Sequence, residues 1–269
     1  MSPARTYARA LVTGATSGIG ESFARALNPG TALLLTGRDA GKLDLLRQDL
    51  TGQGGSAQVI PADLTTEAGL DALSAAAGTF APDLIILNAG TGPYGDLLAQ
   101  DEHALRETLA LNALAPLVLL RRLLPAMLDR ARANGSRAGA IVTSSDVAFF
   151  PVPRLATYAA TKAFDLSLTE ALGAELASEP VDILALCPTA TRTRFAKRSG
   201  FGPNLPGAQH PSDVAQSALR ALGRQRTLTL GPVSGSVLAV PALVRYGIAE
   251  AIGRFVPRRG PAQETTEHL

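Results

Sequence analysis

Seven short apolar runs, separated by segments with helical patterning, constrain the fold of this chain more than any other feature. The runs are apolar at successive positions rather than at alternate ones, which is typical of parallel strands that helices cover on both faces. They begin at Ala10, Leu33, Ala57, Leu84, Ala140, Ile183 and Leu228. The sequence therefore predicts the α/β class, with a doubly wound parallel sheet of seven strands and helices on both faces.

The domain organisation follows from the lack of an internal boundary. The chain has 269 residues, and no shift in composition, long linker or internal repeat divides it. We expect one domain over residues 1–257, with a substrate lid over about 192–211 where glycine and proline are frequent. A C-terminal helical extension is predicted over about 237–256, and residues 258–269 are predicted to be a frayed tail.

Composition indicates which class of partner and which cellular compartment to expect. A formal net charge of +2 gives no broad basic surface, so a small molecule is expected as partner rather than nucleic acid. The single cysteine excludes an intrachain disulfide and, with three histidines, gives no clustered metal-ligand spacing, which favours the cytoplasm and predicts no metal site. The apolar stretch 7–12 is too short for a signal-peptide core, and glycines and prolines interrupt the run 227–244. Membrane association is therefore not expected.

A glycine-rich turn follows the first predicted strand and precedes a predicted helix. Its glycines permit a tight turn, close approach to a pyrophosphate and close helix packing, while the helix N-terminus attracts the anion. The glycine spacing, three intervening residues and then one, differs from the ordinary dinucleotide fingerprint, so a purely structural turn is the alternative. The cofactor contacts expected here are Gly14, Thr16, Ser17, Gly18, Ile19 and Gly20.

The end of the second predicted strand bears on the choice of cofactor. An acidic residue there would bind the ribose hydroxyls of NAD, whereas an arginine accommodates the additional phosphate of NADP. Gly37 and Arg38 occupy this place, so the sequence favours NADP(H) over NAD(H), with a solvated surface arginine as the alternative. Asp39 is interpreted as the N-cap of the helix that follows.

Tyr158 and Lys162, four residues apart on a predicted helix, form the candidate reactive pair. This spacing puts both side chains on one helix face, where the cation would lower the pKa of the tyrosine; an exposed structural pair is the alternative. Ser145 follows the fifth predicted strand, where sites of parallel sheets lie, and its hydroxyl could hold a carbonyl oxygen. A serine hydrolase is disfavoured because Ser145 lacks the Gly-x-Ser-x-Gly context and neither His103 nor His210 is spaced as its base.

Pro116 lies inside the predicted helical stretch 102–128. Because proline lacks an amide proton and clashes with the carbonyl four residues earlier, it should kink the helix and free the backbone oxygen of Asn112. We hypothesise that a water at this oxygen links solvent through Lys162 to Tyr158 as a proton relay. A structural kink with Asn112 packed beside it is the alternative.

Together these residues resemble the short-chain dehydrogenase/reductase family. The motifs that carry the resemblance are Thr13-Gly14-x-x-x-Gly18-Ile19-Gly20, Asn88-Ala89-Gly90, Asn112, Ser145 and Tyr158-x-x-x-Lys162. The likeness extends over nearly the whole chain, less distinctly after about Thr193. It implies a Rossmann-like fold and an oxidoreductase that transfers hydride between a nicotinamide cofactor and a carbonyl or alcohol.

The resemblance also assigns roles. It implies that Tyr158 is the general acid or base, that Ser145 polarises the carbonyl, that Lys162 contacts the nicotinamide ribose and tunes the tyrosine, and that Asn112 serves a water-linked relay. One departure is Thr189, which stands where the family commonly has glycine and restricts the backbone of that loop. The further cofactor contacts implied are Asp63 (alternatively a helix cap), Leu64, Asn88, Ala89, Gly90, Pro188, Thr191 and Thr193.

The predicted substrate is a ketone or aldehyde with an apolar body. This prediction interprets a large share of the few aromatic side chains as walls of the substrate site, with packing in the core or between subunits as the alternative. The residues in question are Tyr94, Phe149, Phe150 and Phe195.

Two alternative functions and an assembly state complete the expectations. The chain could be a sensor that binds NADP without turnover, or a 3-oxoacyl reductase that acts on carrier-bound acyl groups. By resemblance, the helices over 102–128 and 157–176 are expected to assemble a homodimer or homotetramer.

Overall fold

The sheet predicted from the apolar runs is present, and the predicted fold class is confirmed. The computed structural model describes residues 6–27, 29–200 and 207–230. Its seven strands are all parallel and lie in the order β3-β2-β1-β4-β5-β6-β7. They are β1 (Arg9–Thr13), β2 (Ala32–Gly37), β3 (Ser56–Pro61), β4 (Leu84–Leu87), β5 (Ala138–Thr143), β6 (Val181–Cys187) and β7 (Thr227–Thr229).

Helices connect the strands and cover both faces of the sheet. The helices within the described residues are α1 (Gly18–Ala26), α2 (Ala40–Gly52), α3 (Glu67–Phe80), α4 (Glu102–Leu109), α5 (Ala115–Asn134), α6 (Ala156–Glu175), α7 (Arg194–Ser199) and α8 (Pro211–Ala221). On one face, Leu73 and Leu119 pack in the same cluster as Ile85. On the other face, Phe23 packs in the same cluster as the next strand residue, Ile86. Successive residues of β4 thus enter opposite cores, which is why the strand is apolar throughout.

The chain order of the strands positions the site. Strand order reverses beside β1, where β2 pairs on one side and β4 on the other. In open parallel sheets, ligands bind at such a switch point, outside the carboxyl ends of the strands. The turns after β1, β4 and β5 all meet there.

The stretch Glu102–Asn134 is continuously helical and, by length and composition alone, could cross a membrane. Half of its most apolar window is buried inside the protein, as in a core helix. This feature by itself is therefore weak evidence for a membrane span.

Some predicted segments extend beyond the described residues. The predicted helical extension 237–256 and the tail 258–269 lie outside them. Of the predicted lid, the structure describes 192–200, which contains α7, and 207–211, where α8 begins.

Candidate active site

A cleft with a volume of about 360 Å³ lies at the switch point of the sheet. It brings together most of the residues singled out in the sequence. Those lining it are Gly14, Thr16, Ser17, Gly18, Ile19, Arg38, Asp63, Leu64, Asn88, Ala89, Gly90, Ser145, Tyr158, Lys162, Pro188, Thr191, Thr193 and Phe195. Gly20 and Asn112 lie behind the wall of this cleft, each in a supporting position described below.

The glycine-rich turn has no room for side chains at its three glycines, because neighbouring protein atoms lie too close. Gly14 and Gly18 have φ values of +67° and +61°, in the left-handed region that favours glycine. A Cβ on Gly18 would approach Thr193 Cγ2 to 2.8 Å, so the segment after β6 lies directly over the turn. A Cβ on Gly20 would lie 2.2 Å from the carbonyl oxygen of Gly14, so this glycine packs α1 against the turn.

Hydrogen bonds fix the neighbouring loop after β4. The hydroxyl of Thr13 accepts from the amides of Asn88 (2.9 Å) and Ala89 (3.0 Å). The Asn88 side chain also donates to the carbonyl of Thr13 at 3.3 Å. These bonds hold the Asn88-Ala89-Gly90 segment against β1 and give the cleft a rigid floor.

Arg38 and Asp39, the neighbouring residues after β2 that bear on the choice of cofactor, lie in different environments. Arg38 lines the cleft, whereas Asp39 caps α2 by accepting from the Lys42 amide at 3.0 Å and pairs with the Lys42 ammonium. The predicted capping role of Asp39 is confirmed.

Asp63 lines the cleft at the end of β3. The helix cap that the sequence left open for it is supplied instead by Thr66, whose hydroxyl accepts from Gly69. Burial would raise the pKa of Asp63, but hydrogen bonds from Thr65 and the positive charge of Arg38 hold it below its ordinary value. Asp63 is therefore an anionic wall of the cleft at neutral pH.

Tyr158 and Lys162 lie in the first turns of α6, and their side chains meet as the spacing predicts. The Lys162 ammonium is 6.0 Å from the centre of the Tyr158 ring. Its Nζ donates to the carbonyl of Thr143 at 2.7 Å and to Oδ2 of Asp165 at 2.9 Å. Lys162 is 4% exposed, so the alternative of an exposed helical pair is excluded.

The pKa of Tyr158 is shifted upwards, opposite to the lowering expected from the sequence. Burial raises it above the ordinary value, and this effect exceeds the lowering by the charge of Lys162 and the hydrogen bond with Ser145. Asp146 and Asp165 add negative charge that raises it further. The sequence pattern showed the cation but not the two carboxylates that oppose it.

Lys162 remains a cation despite its burial. Desolvation lowers its pKa, but the charges of Asp165 and Tyr158 outweigh desolvation and raise the pKa above its ordinary value. The reactive phenol therefore faces a fixed positive charge that is itself paired.

Ser145 lies just after β5 and caps a short 3₁₀ turn, Asp146–Phe149. Its Oγ donates to Oδ1 of Asp146 at 3.1 Å and accepts from the amide of Val147 at 3.4 Å. Burial raises the pKa of Asp146, against the opposing effect of the Ser145 hydrogen bond. The serine hydroxyl is thus oriented before any substrate binds.

Pro116 distorts its helix as predicted. Residues Ala110–Leu114 form a π-helical turn, and the amide of Ala115 bonds to the carbonyl of Ala110, five residues back. Because Pro116 has no amide proton, the carbonyl of Asn112 lacks its usual helical donor. The Asn112 side chain is also fixed: it accepts from Thr91 at 2.9 Å and donates to Thr91 and Thr161.

A second, small cavity of about 10 Å³ lies beside this π turn. Asn112, Pro116, Thr143, Lys162 and Asp165 are among the residues that line it. A space of this size is at the lower limit for one water molecule, and most of its lining residues are apolar. It touches both Asn112 and Lys162, which is where the relay hypothesis places a water.

The aromatic prediction needs correction. Phe149 is 3% exposed and packs with Leu166, and Tyr94 is 8% exposed and packs with Val152; both are core positions rather than walls of the cleft. Phe150 packs against the edges of these two clusters. The alternative of core packing thus describes these three residues, because a sequence gives no direction for a side chain after a turn.

Of the four aromatic residues predicted to wall the substrate site, Phe195 is the one that lines the cleft. Its ring centroid lies 5.2 Å from that of Tyr158, with the planes tilted by 44°. A bridge between Thr191 and Gln209 anchors the segment that carries Phe195, and Thr189 of the same segment lines the cleft.

Three residues at the site were missed in the sequence. Gly92 lies against the ring of Tyr158: a Cβ there would be 2.6 Å from Cδ2 of that ring. Asp146 and Asp165 contact Ser145 and Lys162. Each acid follows its partner closely in the chain, and that proximity was the available signal.

Comparisons with known proteins agree with this arrangement. A family model described as short chain dehydrogenase matches residues 8–201. A curated relative, the very-long-chain 3-oxoacyl-CoA reductase of Bos taurus, is 29% identical over 240 residues, 87% of this chain and 74% of its own length.

Solved structures extend the likeness to the fold. A short-chain dehydrogenase from Sphingobium yanoikuyae in complex with NADPH has a TM-score of 0.74 and 29% identity, covering 95% of this chain and 98% of that one. The 3-ketoacyl-(acyl-carrier-protein) reductase from Brucella melitensis complexed with NADH has a TM-score of 0.72 and 27% identity, covering 82% and 96%.

Proposed function

Because this chain belongs to the short-chain dehydrogenase/reductase family, we propose that it is an NADP(H)-dependent oxidoreductase that reduces an apolar ketone or aldehyde, with Tyr158 as the proton donor. One observation carries the proposal most strongly. Ser145, Tyr158 and Lys162 converge from two elements on the same cleft that the glycine-rich turn borders.

The glycine-rich turn fits a dinucleotide, since Gly14 and Gly18 adopt the left-handed backbone conformation and both line the cleft at the start of α1. Gly14, Ser17 and Gly18 would hold the phosphates, and Asn88 to Gly90 the nicotinamide half. When bound, the cofactor supplies or accepts the hydride.

The residues of this chain supply the proton. When substrate binds, Ser145 Oγ would turn its one hydroxyl proton from Oδ1 of Asp146 to the carbonyl oxygen and hold that oxygen beside Tyr158. The phenol then gives its Oη proton to that oxygen, and the positive charge of Lys162 stabilises the phenolate that results. Lys162 would return a proton to the phenolate and regain one from a water in the cavity between Asn112 and Lys162, which completes the relay.

The preference for NADP(H) rests on the separation of Arg38 from Asp39. Arg38 lines the cleft, while the carboxylate that could have bound ribose hydroxyls is engaged by the Lys42 amide and ammonium. Replacing Arg38 by alanine should weaken NADPH binding, measured by fluorescence titration, and leave NADH binding nearly unchanged. An equal loss for both cofactors would contradict the phosphate-binding role.

Phe195 supports the proposal of an apolar substrate, because its ring lies beside Tyr158 at the open side of the site. The 3-oxoacyl reductase alternative is favoured by the name of the bovine relative. Turnover of a carrier-bound or coenzyme A thioester far above that of simple ketones would favour this alternative.

The first experiment is an assay of NADPH oxidation against a panel of aliphatic, aromatic and 3-oxoacyl carbonyl compounds. We expect turnover in the wild type and a loss of several orders of magnitude in the Tyr158→Phe variant, which lacks the phenolic hydroxyl that carries the transferable proton. Tight NADPH binding without turnover of any carbonyl or alcohol would favour the sensor alternative instead.

Assembly and compartment also stand as proposals. Exposed apolar residues at and beside α4, α5 and α6 support subunit contacts there: Leu109 and Leu114 are each 51% exposed, and Leu117 and Phe164 are each 39% exposed. Light scattering after gel filtration should give the mass of a dimer or tetramer, and Leu114→Glu should weaken that assembly.

We propose the cytoplasm as the compartment of this protein, which cell fractionation tests.

A further inference from the structure

An acidic side chain lines the cleft directly beside the serine of the site. Asp146 follows Ser145 after β5 and is partly buried. Its amide donates to the carbonyl of Pro188 at 3.0 Å, which fixes its backbone between the ends of β5 and β6. Its Oδ1 lies 3.1 Å from Oγ of Ser145. The carboxylate is thus held next to the hydroxyl that would bind a carbonyl.

Asp146 differs from the other charged residues of the cleft because no opposite charge lies beside it. Asp63 faces the positive charge of Arg38, and Lys162 is paired with Asp165. Among the side chains that the structure describes, no cation pairs with Asp146, whose carboxylate is stabilised by hydrogen bonds alone. A partly buried carboxylate in this state gains from a ligand that supplies the missing positive charge.

Substrate binding would leave this carboxylate with an unused acceptor. Ser145 has one hydroxyl proton, which its Oγ gives to Oδ1 of Asp146 in the free site. When the serine donates to the carbonyl of the substrate instead, Oδ1 loses that hydrogen bond. A carboxylate only accepts hydrogen bonds, so a donor carried by the substrate itself would restore the lost one.

A substrate held by Ser145 can reach Asp146 with a nearby group. Two hydrogen bonds in series place the carbonyl oxygen within about 6 Å of Oδ1 of Asp146. An amine a few bonds away from the carbonyl carbon spans that distance. Apolar groups also line this part of the cleft, since Val147 and Tyr158 pack against one apolar cluster and Phe195 contacts the Tyr158 ring.

We propose that Asp146 is a specificity-determining residue that selects carbonyl substrates with an apolar body and a positively charged amine near the carbonyl. The inference rests on the proposed function, in which Ser145 and Tyr158 hold the carbonyl. The ammonium would donate to Oδ1 as Ser145 releases it, while the apolar body contacts Phe195. The carboxylate would repel a substrate that has an anionic group at the same place.

Three phenyl ketones of the same size test this selection. Each has a three-carbon linker between the carbonyl and its end group, which is a dimethylammonium, an isopropyl or a carboxylate group. NADPH oxidation at neutral pH gives kcat/KM for each ketone. Dividing the values for the cation and the anion by that for the neutral ketone removes any change common to all three. In the wild type the cation ratio should exceed the anion ratio about tenfold or more.

Variants assign this preference to one carboxylate. Asp146→Asn keeps an oxygen that accepts from Ser145 but removes the charge, so the cation ratio should fall about tenfold or more and the anion ratio should rise. Asp213→Asn removes an exposed acid in the first turn of α8 and should leave both ratios unchanged. If circular dichroism shows that Asp146→Asn does not fold, Asp146→Ser is measured in its place.

Binding separates failure of the inference from failure of the proposed function. Calorimetric titration of the three ketones into the complex with oxidised NADP, where no reduction occurs, gives ratios of Kd that Asp146→Asn should change in the same sense. An equal loss for all three ketones in Asp146→Asn would mean that this residue only orients Ser145, and it would overturn the inference. Equal ratios in the wild type, or no binding of any of the three, would overturn it as well.

The proposed function is decided separately, by Tyr158→Phe. It stands in each of these cases if the wild type reduces a carbonyl compound and Tyr158→Phe does not. Full turnover in Tyr158→Phe would instead overturn the proposed function, whatever the ratios show.

Discussion

Two ion pairs in this molecule have the same chemistry and the same spacing of three residues, but opposite surroundings. Lys42 and Asp39 meet at the start of α2, with side chains 48% and 44% exposed. Lys162 and Asp165 meet on α6 behind the cleft, with side chains 5% and 1% exposed. The first pair caps a helix at the surface, whereas the second fixes the charge beside the reactive phenol.

The difference shows that burial, not spacing, decides what an ion pair does. Water and salt screen the exposed pair, so each partner tolerates loss of the other. In the buried pair, each charge depends on the other for its protonation state, because neither has water to stabilise it. Breaking the two pairs in the same way should therefore give very different results.

The largest expected effect is that of Lys162→Met, compared with Lys42→Met. Removing Lys162 leaves the Asp165 carboxylate buried without its partner, which should lower the free energy of unfolding by about 3–5 kcal/mol. Turnover should fall by orders of magnitude. Urea denaturation and NADPH oxidation measure the two effects, and Lys42→Met should change both only slightly.

The same variant should show a characteristic pH dependence. Burial raises the pKa of Asp165 already in the wild type, against the opposing charge of Lys162; without Lys162 the folded-state pKa rises further above its unfolded value, so ionisation opposes folding more strongly. The deficit relative to the wild type should therefore be largest at neutral pH and shrink as the pH falls through the folded pKa. A deficit independent of pH would mean that lost packing, not unpaired charge, is the cause.

The next largest effect is expected when both charges of the Lys162–Asp165 pair are removed together. The double variant Lys162→Met with Asp165→Leu replaces the ion pair by apolar side chains and should recover most of the stability that Lys162→Met loses. Activity should stay lost, because the cation beside Tyr158 is gone. A double variant no more stable than Lys162→Met would show that the geometry of the pair, rather than its charge, supports the fold.

A smaller effect concerns Cys187, which is buried on the sheet beneath α6. With its pKa raised to about 12, the thiol should react with thiol reagents at neutral pH only when this region opens. Mass spectrometry should show no modification of the native wild type over hours. Lys162→Met should be modified faster, whereas rapid labelling of the wild type would mean that this core is not closed.

The smallest effect is expected from Asp39→Asn. The amide oxygen of asparagine still accepts from the Lys42 amide, so the helix cap is retained and only the exposed charge is lost. Thermal unfolding in low and high salt should differ little from the wild type. A large loss of stability, or a large change in cofactor preference, would show that this pair is more than a surface cap.

The fold could be predicted because its signals are local. Apolar residues at successive positions mark strands buried on both faces, and each of the seven predicted strands is present. The same is true of the glycine-rich turn, since positive φ at Gly14 and Gly18 is a property of the backbone. Pro116 likewise acts on its own helix, so its effect on the turn at Asn112 could be predicted without a structure.

The substrate side of the site could not be predicted in this way. Tyr94, Phe149 and Phe195 were equivalent in the sequence, but only Phe195 lies in the cleft. Which way an aromatic side chain turns after a strand or loop depends on the space its neighbours leave, and those neighbours come from distant parts of the chain.

The sequence by itself determined the sheet, the cofactor turn and the pairing of Tyr158 with Lys162, because strand patterning, glycine conformation and helical spacing are short-range properties. Only the tertiary structure decided the charge of the site. It placed Asp146 and Asp165 around the phenol and buried Asp165 with Lys162, and the strength of an electrostatic interaction depends on such burial. The same lysine and aspartate at the surface, as at the start of α2, leave the chemistry of the molecule unchanged.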